Sequence, residues 1–118
     1  MNAPREDQAL ARRAAACRYW RWLPGMLTDC GERVTDPGVC YLGALPDLTD
    51  PPTLGGLLSL VRAAWEPHRG ADYIASTIHT GSGWGVGTWF DSEGLAAIVL
   101  PTYETEATAL VAALEAAP

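Results

Sequence analysis

The chain has 118 residues, enough for one domain with a buried core, and 48% of them are hydrophobic. The formal net charge is −6, all eight basic residues are arginine, and the charge is uneven, with +2 on residues 1–33 and −8 on residues 34–118. An acidic body disfavours binding to nucleic acid or to an anionic membrane, because both carry charge of the same sign.

No apolar run approaches the roughly 20 residues of a membrane span, and the N-terminal stretch MNAPREDQ lacks the apolar region of a signal peptide. The three cysteines, Cys17, Cys30 and Cys40, are an odd number, which favours reduced thiols over a secreted disulfide framework. We therefore expect a single cytoplasmic domain over residues 1–118, with residues 1–4 frayed.

The first predicted element is a helix from Arg5 to Leu23, which Pro24-Gly25 then ends. It contains the run Arg-Tyr-Trp-Arg-Trp at residues 18–22, a mixture of arginine and aromatic residues that can stack on bases or hold phosphates. Consecutive residues cannot share one helical face. We therefore interpret Trp20 or Trp22 as an anchor in the core and the arginines as solvated, and expect no direct nucleic-acid binding.

Residues 26–50 read as a long loop, because glycine, proline and aspartate recur through them. One short strand is predicted at residues 39–42. A connection of this length is either functional or held in place by its own apolar residues.

The second predicted helix begins with Asp50 as its cap and Pro51 in its first turn. Its apolar stripe runs to Trp65 or Glu66, and Pro67 is expected to end it. Glycine at residues 55 and 56 lowers helix propensity by roughly 1 kcal/mol per residue, which predicts close packing against another backbone.

Residues 71–101 predict three antiparallel strands, with turns at residues 81–83 and 91–94. A last helix follows, with Thr105 as its cap and Glu106 near its positive end. The chain therefore predicts an α+β fold: a small three-stranded antiparallel β-meander packed by two to three helices.

The middle predicted strand has alternating glycines on one face and Trp84 on the other. Trp84 and Trp89 point to opposite faces, and helices cover only one face, so one of the two is expected to be exposed or at an interface. The candidate interface residues are Trp84, Trp89, Gly83, Gly85, Gly87 and His79.

Several chemistries do not fit the residues. The run GSGWGVG matches neither G-x-G-x-x-G nor G-x-x-x-x-G-K, and the chain has no lysine, which excludes a Walker-type nucleotide site. The cysteines and histidines lack the short spacing of zinc ligands, so neither a metal nor another cofactor is expected. His79 is the only reasonable catalytic base, although a polar residue at a strand end is the simpler interpretation.

The run PDLTDPPTLGGLLSLVRAAW at residues 46–65 resembles a segment of short uncharacterised phage and prophage proteins. The same proteins tend to carry WLPGM, here residues 22–26, and a closing ALVAALEAA, here residues 109–117. The resemblance implies a phage or prophage origin and a small accessory protein. It transfers no catalytic residue.

Two hypotheses follow. The first is a noncatalytic accessory protein in the host bacterial cytoplasm that binds a host or phage protein or forms a homodimer; its acidic body would also suit mimicry of nucleic acid. The alternative is a small-ligand or nucleotide-binding protein, or an enzyme, that uses the glycine-rich hairpin and His79.

Overall fold

A computed structural model describes residues 3–36, 43–69, 75–90, 95–98 and 102–118. In chain order its elements are α1 Ala3–Ala16, α2 Pro51–Arg69, β1 Ala75–Thr80, β2 Gly83–Phe90, β3 Leu95–Ile98 and α3 Glu106–Ala116. The predicted α+β class is confirmed: three helices accompany an antiparallel hairpin, β1 with β2, that packs against α3. The strand predicted at residues 39–42 and the turn predicted at residues 91–94 lie outside the described residues.

The hydrophobic core lies where α2 meets α3, with contributions from α1, from residues 26–48 and from β2. Trp65 of α2 is buried, and its indole N–H donates to the Ala113 carbonyl oxygen of α3 at 2.9 Å. This bond satisfies one of the carbonyls at the end of α3, in the last turn, where helical carbonyls lose their own partners. Among the described residues, the largest fully buried side chains are Met26, Thr28, Val34, Thr53, Leu57, Val61, Leu110, Val111 and Leu114.

The first helix is shorter than predicted, since α1 ends at Ala16 and not at Leu23. Two tight turns follow it: the Cys17 amide donates to the Ala14 carbonyl at 3.1 Å, and the Trp20 amide donates to the Cys17 carbonyl at 3.0 Å. Leaving the helix lets both Trp20 and Trp22 reach the core, with their rings edge to face at 5.4 Å. Both tryptophans are therefore anchors, where the sequence indicated one or the other.

The loop that follows is held by backbone hydrogen bonds and by buried apolar residues. The Val34 amide donates to the Met26 carbonyl at 2.8 Å, and the amide of Asp47 donates to the Leu27 carbonyl at 2.9 Å. Met26, Val34 and Leu48 are buried in the core. Of the two explanations for so long a loop, the described part fits the one in which its own apolar residues hold it.

The start of α2 agrees with the prediction, but its end does not. Asp50 caps the helix: its side chain accepts a hydrogen bond from the Thr53 amide at 3.1 Å. The helix then continues past Pro67 to Arg69. Proline here gives up the helical hydrogen bond of its own position and crowds the carbonyl four residues before it, and the helix ends two residues later.

The two glycines of α2 differ in their surroundings. A Cβ on Gly56 would lie 2.7 Å from the Cε atom of Met26, whereas a Cβ on Gly55 would meet no atom within 4 Å. The predicted close approach to another backbone is therefore wrong at both positions. Gly56 makes room for a buried side chain, and Gly55 has no such role.

The first turn lies where the sequence predicted it but is one residue shorter, because Gly83 belongs to β2. Residues Gly81 and Ser82 form a two-residue turn, with Thr80 opposite Gly83. Strand β3 pairs antiparallel with the far end of β2, from Gly87 to Phe90. Among the described strands the order is β1, β2, β3, so β1 lies at one edge of them.

Candidate interaction surface

The helices cover the face of the sheet that carries Trp84 and Val86. Val86 is 3% exposed, and Trp84 is half-buried and packs against the core. By the period of two along a strand, Gly83, Gly85 and Gly87 belong to the other face. Trp84 therefore contributes to the core on the covered face.

Trp84 lies between two neighbours in the sheet. Across β1 its partner is His79, and on its other side it forms a bridge with Tyr103, which precedes α3. The Trp84 amide donates to the Tyr103 carbonyl at 2.7 Å, and the amide of Tyr103 donates back at 2.6 Å. This exchange ties the turn end of the hairpin to the chain entering α3.

Because Trp84 exchanges both backbone bonds with Tyr103, its pair with His79 is a non-hydrogen-bonded one, in which the two side chains come close. The His79 and Trp84 ring centroids are 4.8 Å apart, at an angle of 50°. His79 is exposed. It therefore covers part of the Trp84 ring at the surface.

Gly83 packs directly against the backbone of Tyr103. Its φ of +127° is one that side chains rarely adopt, and a Cβ there would lie 2.5 Å from the Tyr103 carbonyl oxygen. At least this one of the alternating glycines is required by the fold itself.

The outer edge of β1 has backbone groups that can bond to another strand. Since the pair of His79 with Trp84 is non-hydrogen-bonded, the N–H and C=O of His79 point away from β2, and by alternation so do those of Thr77. Within the described ranges, β1 pairs with β2 alone. Its sequence, Ala-Ser-Thr-Ile-His-Thr, has no proline and no Asp, Glu, Lys or Arg, the residues with which many proteins protect an edge strand.

The structure separates the six predicted interface residues. His79 is exposed, Gly83 and Trp84 are half-buried, and Gly85 and Gly87 are buried. Trp89 pairs with Ala96 in the sheet, and its side chain lies outside what the structure describes. The structure brings His79, Gly83 and Trp84 together at the turn end of the hairpin.

Sequence reasoning missed Tyr103, the fourth member of this group. A single bridge of this kind leaves no periodic pattern in the sequence. The aromatic character of Tyr103 next to the Thr105 cap is the only local signal.

The described cysteines are poorly suited to act as nucleophiles or as metal ligands. Burial raises the pKa of Cys17, and the neighbouring Asp29 carboxylate raises the pKa of Cys30. Both are therefore thiols at neutral pH, whereas the thiolate is the nucleophile and the metal ligand. In the parts of the chain that the structure describes, no three His, Cys, Asp or Glu side chains converge in a way that could hold a metal ion.

The arginine and aromatic residues after α1 make contacts within the protein. The Arg18 guanidinium lies 4.7 Å from the centre of the Tyr19 ring and donates to the Tyr19 hydroxyl at 2.8 Å. That hydroxyl donates to the main-chain oxygen of Pro118. Arg13 pairs with Glu115 at 2.5 Å and so joins α1 to α3.

A scan against protein-family models and searches of curated proteins and of solved structures gave no significant match to this chain. Among the described residues, no helix is both long enough and apolar enough to cross a membrane.

Proposed function

We propose that the protein is a noncatalytic accessory protein of phage or prophage origin that acts in the host bacterial cytoplasm by binding protein. The proposal takes the sheet as a three-stranded meander with β1 at its free edge. The observation that carries it is this edge: six residues without charge or proline, with the backbone groups of Thr77 and His79 directed outward.

A second copy of the chain is the occupant that suits this edge best. Two β1 strands paired antiparallel about a twofold axis offer each other the same backbone groups and close symmetrically. Two copies with a net charge of −6 repel each other in general, but β1 has no Asp, Glu, Lys or Arg to bring into contact. Strand addition therefore joins the copies where the repulsion is least.

Size-exclusion chromatography with light scattering over a range of concentrations tests the proposal. We expect a dimer for the native chain and a monomer for Thr77→Pro. The Thr77 amide points away from β2, so proline there removes an outward donor and leaves the bonds between β1 and β2 in place.

A second variant guards against misfolding of Thr77→Pro. His79→Lys keeps the backbone and places like charges on both paired strands, which also favours the monomer. Circular dichroism checks that each variant is folded. A native chain that is monomeric at every concentration, or a dimer that survives both substitutions, contradicts the proposal.

The alternative of a ligand site in the glycine-rich hairpin has less support. The space that a ligand would need beside Gly83 is taken by the Tyr103 carbonyl. Gly85 and Gly87 are themselves buried.

A further inference from the structure

A groove outside the hairpin combines an apolar floor with acidic side chains. One depression of about 260 Å³ lies between α1 and residues 45–49. Another of about 510 Å³ lies between α1 and the starts of α2 and α3. The two share Asp7, Leu48 and Thr49, so they adjoin, and together we call them the acidic groove.

The floor of the acidic groove is made of leucine and alanine. Leu10, Leu45, Leu54 and Ala107 pack against the core but remain half-buried, so part of each faces the groove. Apolar surface left in water favours contact with the apolar side chains of a partner.

Most of the charged side chains on the described rim of the groove are acidic. Its acidic members are Asp7, Asp29, Asp47, Glu104 and Glu106. Among the described lining residues the one basic side chain is Arg13, and its pairing with Glu115 at 2.5 Å offsets its charge.

The loop helps to hold part of this rim. Asp47 accepts a hydrogen bond from the Thr49 amide at 3.0 Å, and Asp29 accepts one from the Leu45 amide at 3.3 Å. Asp7 and Glu104 are exposed at the surface. Some carboxylates are thus positioned by the backbone, and others stand open to a partner.

We propose that the acidic groove binds a basic amphipathic segment of a partner protein, with apolar side chains on the floor and Arg or Lys against the rim. The inference rests on the proposed protein-binding function, but on a surface separate from the β1 edge. A polar cation would leave the floor unused, and nucleic acid or an anionic membrane would be repelled by the rim. A segment with one apolar and one basic face complements both parts, and a charged rim of this kind also speeds encounter.

A pair of synthetic peptides tests this complementarity. The first contains leucine and arginine, with leucines at the i, i+3, i+4 and i+7 spacing of one helical face; the second has the same composition in scrambled order. By fluorescence anisotropy we expect the first to bind with a Kd on the order of 10 µM and the second about tenfold more weakly, because only the first can use the floor.

Two matched variants test the rim. Asp7→Asn with Glu104→Gln removes two charges from the groove, and Glu32→Gln with Glu66→Gln removes two exposed charges outside its lining. At low salt we expect the first pair to weaken binding about tenfold and the second pair to change it less than about twofold, because screened charges act over short distances.

Equal weakening by both pairs, equal binding of the two peptides, or no binding of the amphipathic peptide overturns the proposal. Light scattering reports the oligomeric state and so distinguishes failure of the β1 proposal from failure of the groove proposal. If the native chain forms no dimer but the amphipathic peptide binds and is weakened only by the groove variants, the groove proposal is supported and the β1 dimer is contradicted. If Thr77→Pro abolishes a dimer and no peptide binds, the reverse holds.

Discussion

At position 83 both the backbone conformation and a tertiary contact require glycine. Its φ of +127° disfavours a side chain, and the carbonyl of Tyr103 occupies the place where a Cβ would lie. The obstacle is backbone that is itself bonded to Trp84, so it cannot move aside without breaking those bonds.

We predict that Gly83→Ala lowers the free energy of unfolding by about 2 kcal/mol or more, since the left-handed strain and the close contact add. Gly81→Ala is the matched control in the adjoining turn, where a Cβ would meet no atom within 4 Å, and we expect a change below about 1 kcal/mol. Urea denaturation measures both. Equal losses for the two variants would contradict the role given to Tyr103.

At the scale of elements, the junction between the loop and α2 depends on Thr53. This side chain is fully buried; its hydroxyl accepts from the Leu27 amide at 2.8 Å and donates to the Asp50 carboxylate at 2.8 Å. Arg33 also bonds to that carboxylate, at 2.7 Å. One hydroxyl thus connects the loop backbone with the cap of the helix.

Thr53→Val keeps the shape of the side chain and removes this connection. We expect a loss of about 1–3 kcal/mol in the free energy of unfolding, because the Leu27 amide is left without its partner in a half-buried position. Thr49→Val serves as control: Thr49 is exposed, and its hydroxyl bonds only within its own turn, to Asp47 at 2.6 Å. If thermal or urea unfolding shows a similar loss for Thr49→Val, the connection through Thr53 is not the cause.

The sequence predicted the start of α2 correctly but not the end of α1. The start of α2 was correct, because Asp50 and the prolines after it act locally. The end of α1 was wrong by seven residues, because Trp20 and Trp22 gain more by packing against the core than by continuing a helix. The packing of these tryptophans depends on core residues distant in the chain, so the local sequence around residue 16 does not predict where α1 ends.

At the scale of the whole molecule, two carboxylates with lowered pKa values make stability depend on pH. Arg33 lowers the pKa of Asp50 below its ordinary value of 3.8, and Arg13 lowers the pKa of Glu115 below 4.5. In both cases the unfolded chain binds protons more readily than the folded one. The stabilisation is therefore complete well above these ordinary values and is lost as pH falls through and below them.

We predict that the urea midpoint is nearly constant from pH 7 to pH 6 and falls as the pH approaches 3. Asp50→Asn and Glu115→Gln should each flatten this decline, since the substituted side chain no longer takes up a proton. The contribution of Glu115 is at most about 1 kcal/mol, because its ion pair with Arg13 is exposed. If the urea midpoint of both variants falls with pH as steeply as that of the native chain, other titratable groups cause the decline.

The sequence alone was enough for the features that depend on neighbours in the chain: the α+β class, the cap at Asp50 and the hairpin turn at Gly81. Caps, turn glycines and periodic apolar residues act over a few positions, so the chain contains them directly. Only the tertiary structure decided which face of the sheet is covered, that Tyr103 requires glycine at position 83, and that Asp7, Leu48 and Glu104 border one groove. Each of these depends on residues far apart in sequence, whose meeting is set by the packing of the whole core.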